Sequence, residues 1–463
     1  MQKLFIYVFL CLFFGVKAQT YNYYFGNIHA HSGYSDGNKD SSSNGMNKPA
    51  DDFAFAKLSQ HFDFMGLSEH NHHSSSDLAM TPSRYQMGIQ QTNAANSGTF
   101  ACLYGMEYGV ISSGGHIVTY GFNQLIGWEP GNYDVYNAKL DYDTYFRRIA
   151  HTPGTFAYLA HPNTGDYPVG TNGIDGSAYN ATYDSAIVGV PFRSGPAFST
   201  FTDYSDMDNS DYTPYYNKLL AKGYHLGMGY DHDTHYLTFG RHTTGRLVVL
   251  ATSLSPANVM DAMLNMRFYG SDDWNTQVNF TVNSKVMGSI VKQNASPQIS
   301  VSISDADGET AQSIKLYAGT PGTGINPAIM SSVSNNNTLL YTDASLTFGA
   351  TRYYYLKITQ PDGDVIVTSP IWYTYTDQVG IETYNDKAVW NVYPNPVNNV
   401  LNIATEFNEA YTLRLLDVSG RTVLEQTETT PGTQLDLASF SKGYYTLQLQ
   451  KGQALYTKKV FVE

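Results

Sequence analysis

Short apolar runs, each closed by a polar residue suited to binding metal, recur through the first half of the chain. Tyr23–Ile28 precedes His29, Phe62–Leu67 precedes Glu69 and His70, and Phe100–Met106 precedes Glu107. Thr155–Ala160 precedes His161, and His225–Gly229 precedes Asp231. Runs of this length bounded by polar residues predict buried strands. Between them lie helix signals. Pro49–Gln60 opens with Pro at a first-turn position, Asp143–Ala150 is a second candidate, and Pro256–Met266 follows Ser255 as N-cap. Strands alternating with helices predict an α/β domain with a largely parallel sheet over about 19–274. Polar residues at the ends of successive strands predict a barrel whose loops converge on one mouth.

From about 275 the pattern changes to alternation with period two. Ile299–Ile303 and Tyr353–Ile358 are separated from their neighbours by Asp307-Gly308, Pro321-Gly322 and Asp362-Gly363. This predicts a β-sandwich over 275–376. Asp305-Ala306-Asp307-Gly308 reads as an ordinary turn, since the remaining spacing of a calcium loop is missing. Residues 377–389 read as a linker. Strands expected at Val400–Ile403, Tyr411–Leu416, Tyr444–Gln450 and Tyr456–Val462 make 390–463 a second small β module.

The chain start adds a compartment. Lys3, the apolar run Leu4–Phe14, and Val16 and Ala18 before Gln19 read as a signal peptide over 1–18. That run is short for a membrane span, and no later segment has the length and apolarity of one. Cys11 falls within the signal, so Cys102 is left alone, reads as a buried small hydrophobe, and excludes an internal disulfide.

Of 463 residues, 42% are hydrophobic and 14% charged, enough apolar material for packed cores. Lys plus Arg number 27 against 40 Asp plus Glu, a net charge of −13, which argues against general nucleic-acid binding. All 13 histidines lie between His29 and His242, so histidine chemistry belongs to the first domain. His29 and His31, two apart at a strand end, point the same way and can share a divalent metal. Glu69-His70, Glu107, His116, His161 and Asp231-His232-Asp233-Thr234-His235 extend the set, and a His/carboxylate set without thiolate suits Zn, Mn or Fe. His72 and His73 read as solvated loop residues and His232 as pointing away. His61, His151, His225 and His242 read as unconnected to the set. No Gly-x-Ser-x-Gly elbow, P-loop or dinucleotide fingerprint competes.

The order His-x-His…Ser-Asp-Gly, Glu-His-Asn, Gly-x-Glu, Gly-His, His-Pro and Asp-x-His resembles the PHP (polymerase and histidinol phosphatase) superfamily over about 22–274. The resemblance implies a distorted (β/α)7 barrel with two or three divalent ions in its mouth. Carried over by motif, His29, His31, Glu107 and Asp233 would hold one. Glu107, His116 and His161 would hold a second, and Asp36, His70 and His235 a third. Asp233 is preferred to Asp231 for its Asp-x-His spacing with His235. Gly245–Leu250, Arg267-Phe268-Tyr269 and Thr368–Trp372 resemble a secreted branch in which a β-sandwich follows the barrel, and some of whose relatives cleave carbamate or carboxyl esters. The implied nucleophile is a hydroxide bridging two metals, because coordination lowers the pKa of water toward about 7. Arg246, and Arg193 in the loop Pro191–Gly195, are candidate anion contacts. The expected activity is a phosphoesterase acting on a small-molecule or polymer ester. A carboxyl-ester, carbamate or amide hydrolase on the same metals, and a non-enzymatic surface binding protein, are the alternatives.

Tyr393-Pro394-Asn395-Pro396, Leu415–Arg421, Gly443-Tyr444-Tyr445 and the closing Lys458–Glu463 resemble the C-terminal sorting domain of the type IX secretion system of Bacteroidota. That resemblance implies export through the periplasm by the type IX machinery, to the medium or the cell surface.

Overall fold

The computed structural model describes residues 20–377 and 390–462, except 72–79, 110–113, 130–131, 406, 408–409, 418–419, 430–431 and 452–453. The expected signal peptide, His72, His73 and nearly all of the 377–389 linker lie outside the described residues.

Among the described residues, nine strands of the largest sheet lie within 22–271: β1 (Asn22–Asn27), β2 (Phe64–His70), β3 (Ala101–Gly109), β4 (His116–Tyr120), β5 (Phe156–Ala160), β6 (Ile187–Ser194), β7 (Gly227–Asp231), β8 (Arg246–Ala251) and β9 (Phe268–Ser271). They hydrogen-bond in the order β7-β6-β5-β4-β3-β2-β1-β8-β9. Every residue of β2, β3, β5 and β7 is buried, as expected where both faces are covered. The sheet is mixed, which corrects the expectation of a largely parallel one. β1, β2 and β3 run parallel, as do β5, β6 and β7, but β4 lies antiparallel between β3 and β5, and β8 antiparallel between β1 and β9. For β3 and β4 the physical reason is connection length. Only residues 110–115 separate β3 from β4, and a parallel crossover needs a dozen or more.

The ladder curves back on itself. Strand β7 is its edge, yet the loop after β7 meets the loop after β1. The His31 N–H donates to the Thr234 carbonyl at 3.0 Å, and the His232 N–H to Asn27 Oδ1 at 3.0 Å. Gly270 of β9 faces Gly229 of β7 so closely that a side chain there would strike the Gly229 carbonyl. The C-terminal ends of β1, β2, β3, β5 and β7 therefore open on one region.

Helices cover the sheet: α1 (Pro49–Ala56), α2 (Pro82–Ala95), α3 (Tyr142–Ala150), α4 (Ala181–Ala186), α5 (Thr213–Lys222) and α6 (Pro256–Leu264). Side chains cap four of them as the sequence chemistry dictates. Thr81, Asp141, Asn180 and Ser255 each accept a backbone N–H of the first turn. Cys102 is buried and free.

Strand β9 continues the sheet into the next region, pairing Tyr269 with Thr368 and Ser271 with Ile366. Strands 351–359, 313–319 and 328–334 follow from there. They face a separate sheet of 277–282, 298–304 and 338–342 across a core of Val278, Val301, Leu316, Tyr354 and Leu356. Asp305–Gly308 closes as a turn, the Gly308 N–H reaching the Asp305 carbonyl at 3.3 Å. At the C-terminus a three-stranded and a four-stranded sheet enclose Trp390, Leu401, Leu413, Leu447 and Val460. Among the described residues no helix is long and apolar enough to cross a membrane.

Candidate metal centre

All nine sequence-predicted ligands meet at that shared end of the strands, around one carboxylate. Glu107, wholly buried near the end of β3, has five imidazoles about it. His29 Nε2, His116 Nδ1 and His161 Nε2 lie 3.1, 3.0 and 3.2 Å from its Oε1. His31 Nε2 and His70 Nδ1 lie 3.2 and 3.1 Å from its Oε2. Asp233 Oδ1 is 3.1 Å from His29 Nε2 and 3.0 Å from His31 Nε2. His235 Nε2 reaches Asp36 Oδ2 at 3.2 Å, and Asp36 Oδ1 stands 3.7 Å from His70 Nε2.

Three overlapping groups have ligand atoms close enough to share an ion: His29, His31, Glu107 and Asp233; His31, Asp36, His70 and His235; and His70, Glu107 and His116. The first is the set expected for one metal. The second contains the set expected for the third, with His31 added. For the middle position the grouping brings His70 to Glu107 and His116, while His161 approaches the same Glu107 oxygen as His116.

The donor set fits divalent cations. One carboxylate cannot accept hydrogen bonds from five rings, and both ring nitrogens of His29, Nδ1 of His31, Oε2 of Glu107 and Oδ1 of Asp36 are buried without a hydrogen-bond partner. Ligands held about 2.1 Å from a shared ion stand roughly 3.0–3.4 Å apart, the spacing seen here. Electrostatics agree in sign. Burial alone pushes the Glu107 carboxyl up, but His29, His116 and His70 hold it well below the usual range. Burial opposes charge on His31, yet Asp233, Glu107 and Asp36 raise it to about 10. The cluster attracts positive charge.

The surroundings hold these groups in place. Asp231 Oδ2 stands 3.3 Å behind Nδ1 of His29, on the side away from Glu107, and Asp231 takes a hydrogen bond from the Ser194 hydroxyl. A carboxylate behind a ligating imidazole sets its orientation and raises its basicity. Asp233, not Asp231, is thus the one that faces Nε2 of both His29 and His31. Glu69 turns away from the cluster and clamps the loop carrying Asp36, accepting from Ser32 Oγ, from Ser35 Oγ at 2.6 Å, and from the Ser32 N–H. Asn27 fixes His29 through both backbone groups, at 2.8 and 3.1 Å. His161 and Asp233 have φ of 29° and 51°, left-handed values that non-glycine residues adopt only where the surroundings enforce them. The roles of Asp231, Glu69 and Asn27 were not apparent from the motifs. The signal was present for Asp231, which ends a strand as His29 begins the loop beside it.

The two arginines correct the expectation of anion contacts. Arg246 is wholly buried, and its five N–H groups go to five backbone carbonyls: Nε to His61 at 3.0 Å, Nη1 to Thr243 and Gly245 at 2.8 Å, and Nη2 to Gln60 at 3.1 Å and Gly240 at 2.9 Å. No donor is left for a substrate. Arg193 grips Asp272 with two bonds of 2.6 and 3.0 Å and gives a third to the Ser210 carbonyl at 2.7 Å. Both are structural. His232 points away as expected, its Nε2 lying 2.8 Å from the Gly245 carbonyl, and His225 pairs with Asp184 at 2.9 Å far from the centre.

The family model described as a secretion system C-terminal sorting domain matches residues 391–463. The tail therefore marks the chain for export by the type IX secretion machinery, to the medium or the cell surface. No curated protein matches the chain in sequence. Among solved structures, a superoxide reductase (neelaredoxin) from Ignicoccus hospitalis is 15% identical, over 21% of this chain and 80% of that one, at a TM-score of 0.15. The fibronectin(III)-like modules of Clostridium thermocellum CbhA are 16% identical over 40% and 94%, at 0.16. The human OSCAR ligand-binding domain is 12% identical over 40% and 95%, at 0.20. At these TM-scores none bears on fold or function.

Proposed function

We propose that this exported protein is a multinuclear metal-dependent hydrolase of the PHP kind, a phosphoesterase, whose curved sheet is the distorted (β/α)7 barrel of that superfamily. The observation that carries the reading is the convergence of five imidazoles on Glu107, with Asp233, Asp36 and His235 completing three overlapping ligand groups. A scaffold that only bound a glycan or an anion would have no use for so many buried ligands.

Two or three divalent ions (Zn, Mn or Fe) held by His29, His31, Asp36, His70, Glu107, His116, His161, Asp233 and His235 would supply Lewis acidity and an activated water. The chain's own contribution is position. Asp231 and Asn27 orient His29, Glu69 pins the Asp36 loop, and the buried walls keep the dielectric low so that charge at the centre is felt strongly.

A second reading, a carboxyl-ester, carbamate or amide hydrolase on the same residues, gains from one observation: Arg246 has no N–H left to hold a phosphate, and Arg193 is engaged with Asp272 and the Ser210 carbonyl. The deciding experiment loads the full chain with Mn, Fe or Zn and follows hydrolysis of a phosphomonoester, a phosphodiester and a carboxyl ester, with Glu107→Ala as control. Phosphate release that the control abolishes is expected. Acyl cleavage alone moves the protein to the second reading. Unchanged metal content and activity in Glu107→Ala sinks both.

A further inference from the structure

With both arginines committed elsewhere, the rim of the centre offers a different pair. Lys39 Nζ lies 3.5 Å from Asp36 Oδ2, and among the described residues Lys39 is the lysine or arginine that pairs with a member of the cluster. Beside it the ring of Phe198 sits 4.7 Å from the ring of His235, centroid to centroid, and 5.7 Å from Lys39 Nζ. His235 is buried, yet Phe198 is 62% exposed.

The exposure is not that of a loose loop. The Lys39 N–H donates to the His235 carbonyl at 3.0 Å, and the His235 N–H to the Ala197 carbonyl at 3.0 Å. Leu237 N–H reaches Asp40 Oδ1 at 3.2 Å, and Thr238 Oγ1 reaches the Ser199 carbonyl at 3.4 Å. Three segments, 36–40, 196–199 and 235–238, are thus tied into one frame. It presents a flat aromatic face and an ammonium side by side at the edge of the candidate metal centre. A lone surface phenylalanine needs no explanation. One held against a candidate ligand, with a cation beside it, has a recognition geometry.

We propose that Lys39 and Phe198 form the substrate-recognition rim, and that the substrate is an anionic ester carrying an aromatic ring. Lys39 Nζ takes an anionic oxygen of the substrate, and the Phe198 ring stacks on the aromatic group. Offset stacking favours an aromatic partner over an aliphatic one of similar size. An ammonium beside a ring favours an anion that also touches that ring. The inference rests on the hydrolase reading for the anion's place at the centre, and its test does not require turnover.

The test is calorimetric titration of the full, metal-loaded chain with phenylphosphonate and with methylphosphonate, neither of which can be hydrolysed as an ester. Phenylphosphonate should bind about tenfold more tightly. Phe198→Ala should bring the ratio below about twofold, with methylphosphonate unaffected. Lys39→Ala should weaken both by about tenfold, and Lys39→Arg should restore most of the loss. Both side chains are at the surface, so their variants keep the fold. An unchanged ratio in Phe198→Ala, unchanged binding in Lys39→Ala, or failure of the loaded chain to bind either phosphonate overturns the rim. Metal content measured on the same samples judges the hydrolase reading separately: a chain that takes up no metal fails that reading, and a loaded chain that ignores Phe198 fails only this one.

Discussion

Nδ1 of His29 lies 3.3 Å from Oδ2 of Asp231, while Nε2 of the same ring faces Glu107 and Asp233. The ring is held from behind by one carboxylate and offered to two others. Asp231 faces only the Nδ1 of His29 that is turned away from Glu107 and stands outside the ligand groups, so its removal tests orientation alone. Asp231→Ala should lower metal affinity about 10- to 100-fold. Competition with a chelator reads this directly. Unchanged affinity would reduce Asp231 to a packing role.

Arg246 supports a different prediction. Its guanidinium satisfies five backbone carbonyls contributed by the segments 60–61 and 240–245. A lysine brings three donors in a compact head, so Arg246→Lys leaves at least two buried carbonyls unmatched. The expected cost is about 2–5 kcal/mol of stability, seen in denaturant unfolding, with phosphonate binding by the surviving folded protein unchanged. Full stability with lost anion binding would return Arg246 to the substrate.

These two residues also mark how far the sequence could be read. The ligands were legible because side-chain alternation and strand ends are local: His29 and His31 share a face at the end of β1, and Glu107, His161 and Asp233 each end or follow a buried run. The cage around Arg246 was not legible, because it is built of backbone carbonyls, which any residue type supplies. Strand β4 was hidden because His116 stood as an isolated motif after two glycines, with no apolar run before it. Helix α2 was missed for a similar reason. Its buried face is Tyr85, Gly88 and Thr92 rather than an aliphatic stripe, although Thr81 and Pro82 gave a usable start signal.

Glu69 is buried and accepts from two serine hydroxyls and a backbone N–H of the loop between His31 and Asp36. Burial pushes its carboxyl up, while the bonds from Ser32 and Ser35 act in the opposite direction. Glu69→Gln keeps the shape but turns an N–H₂ group toward donors. The loop should lose about 1–3 kcal/mol of local stability, and the group formed by His31, Asp36, His70 and His235 should lose affinity before the group at Asp233. Stepwise metal release followed by mass spectrometry checks the order. Simultaneous loss at both would mean that Glu69 supports the whole centre.

Away from the metal centre, one carboxyl couples stability to pH. Asp364 is partly buried, and burial first, then the neighbouring Asp362, Asp272, Asp273 and Glu309, raise its carboxyl to about 7. In the unfolded chain the same group titrates near 3.9. Between these values the native state holds a proton that the unfolded state has released. Stability must therefore fall as pH rises from about 4 to about 7, and level off above. Asp364→Asn removes the term by keeping the side chain neutral throughout. The variant should melt at a higher temperature than the parent at pH 8 and at nearly the same temperature at pH 4. Thermal unfolding at the two pH values, with chelator present so that bound cations do not contribute, measures the difference. A variant less stable than the parent at pH 8 would mean that the ionised Asp364 makes a favourable contact, and that the acidic neighbours do not set its charge.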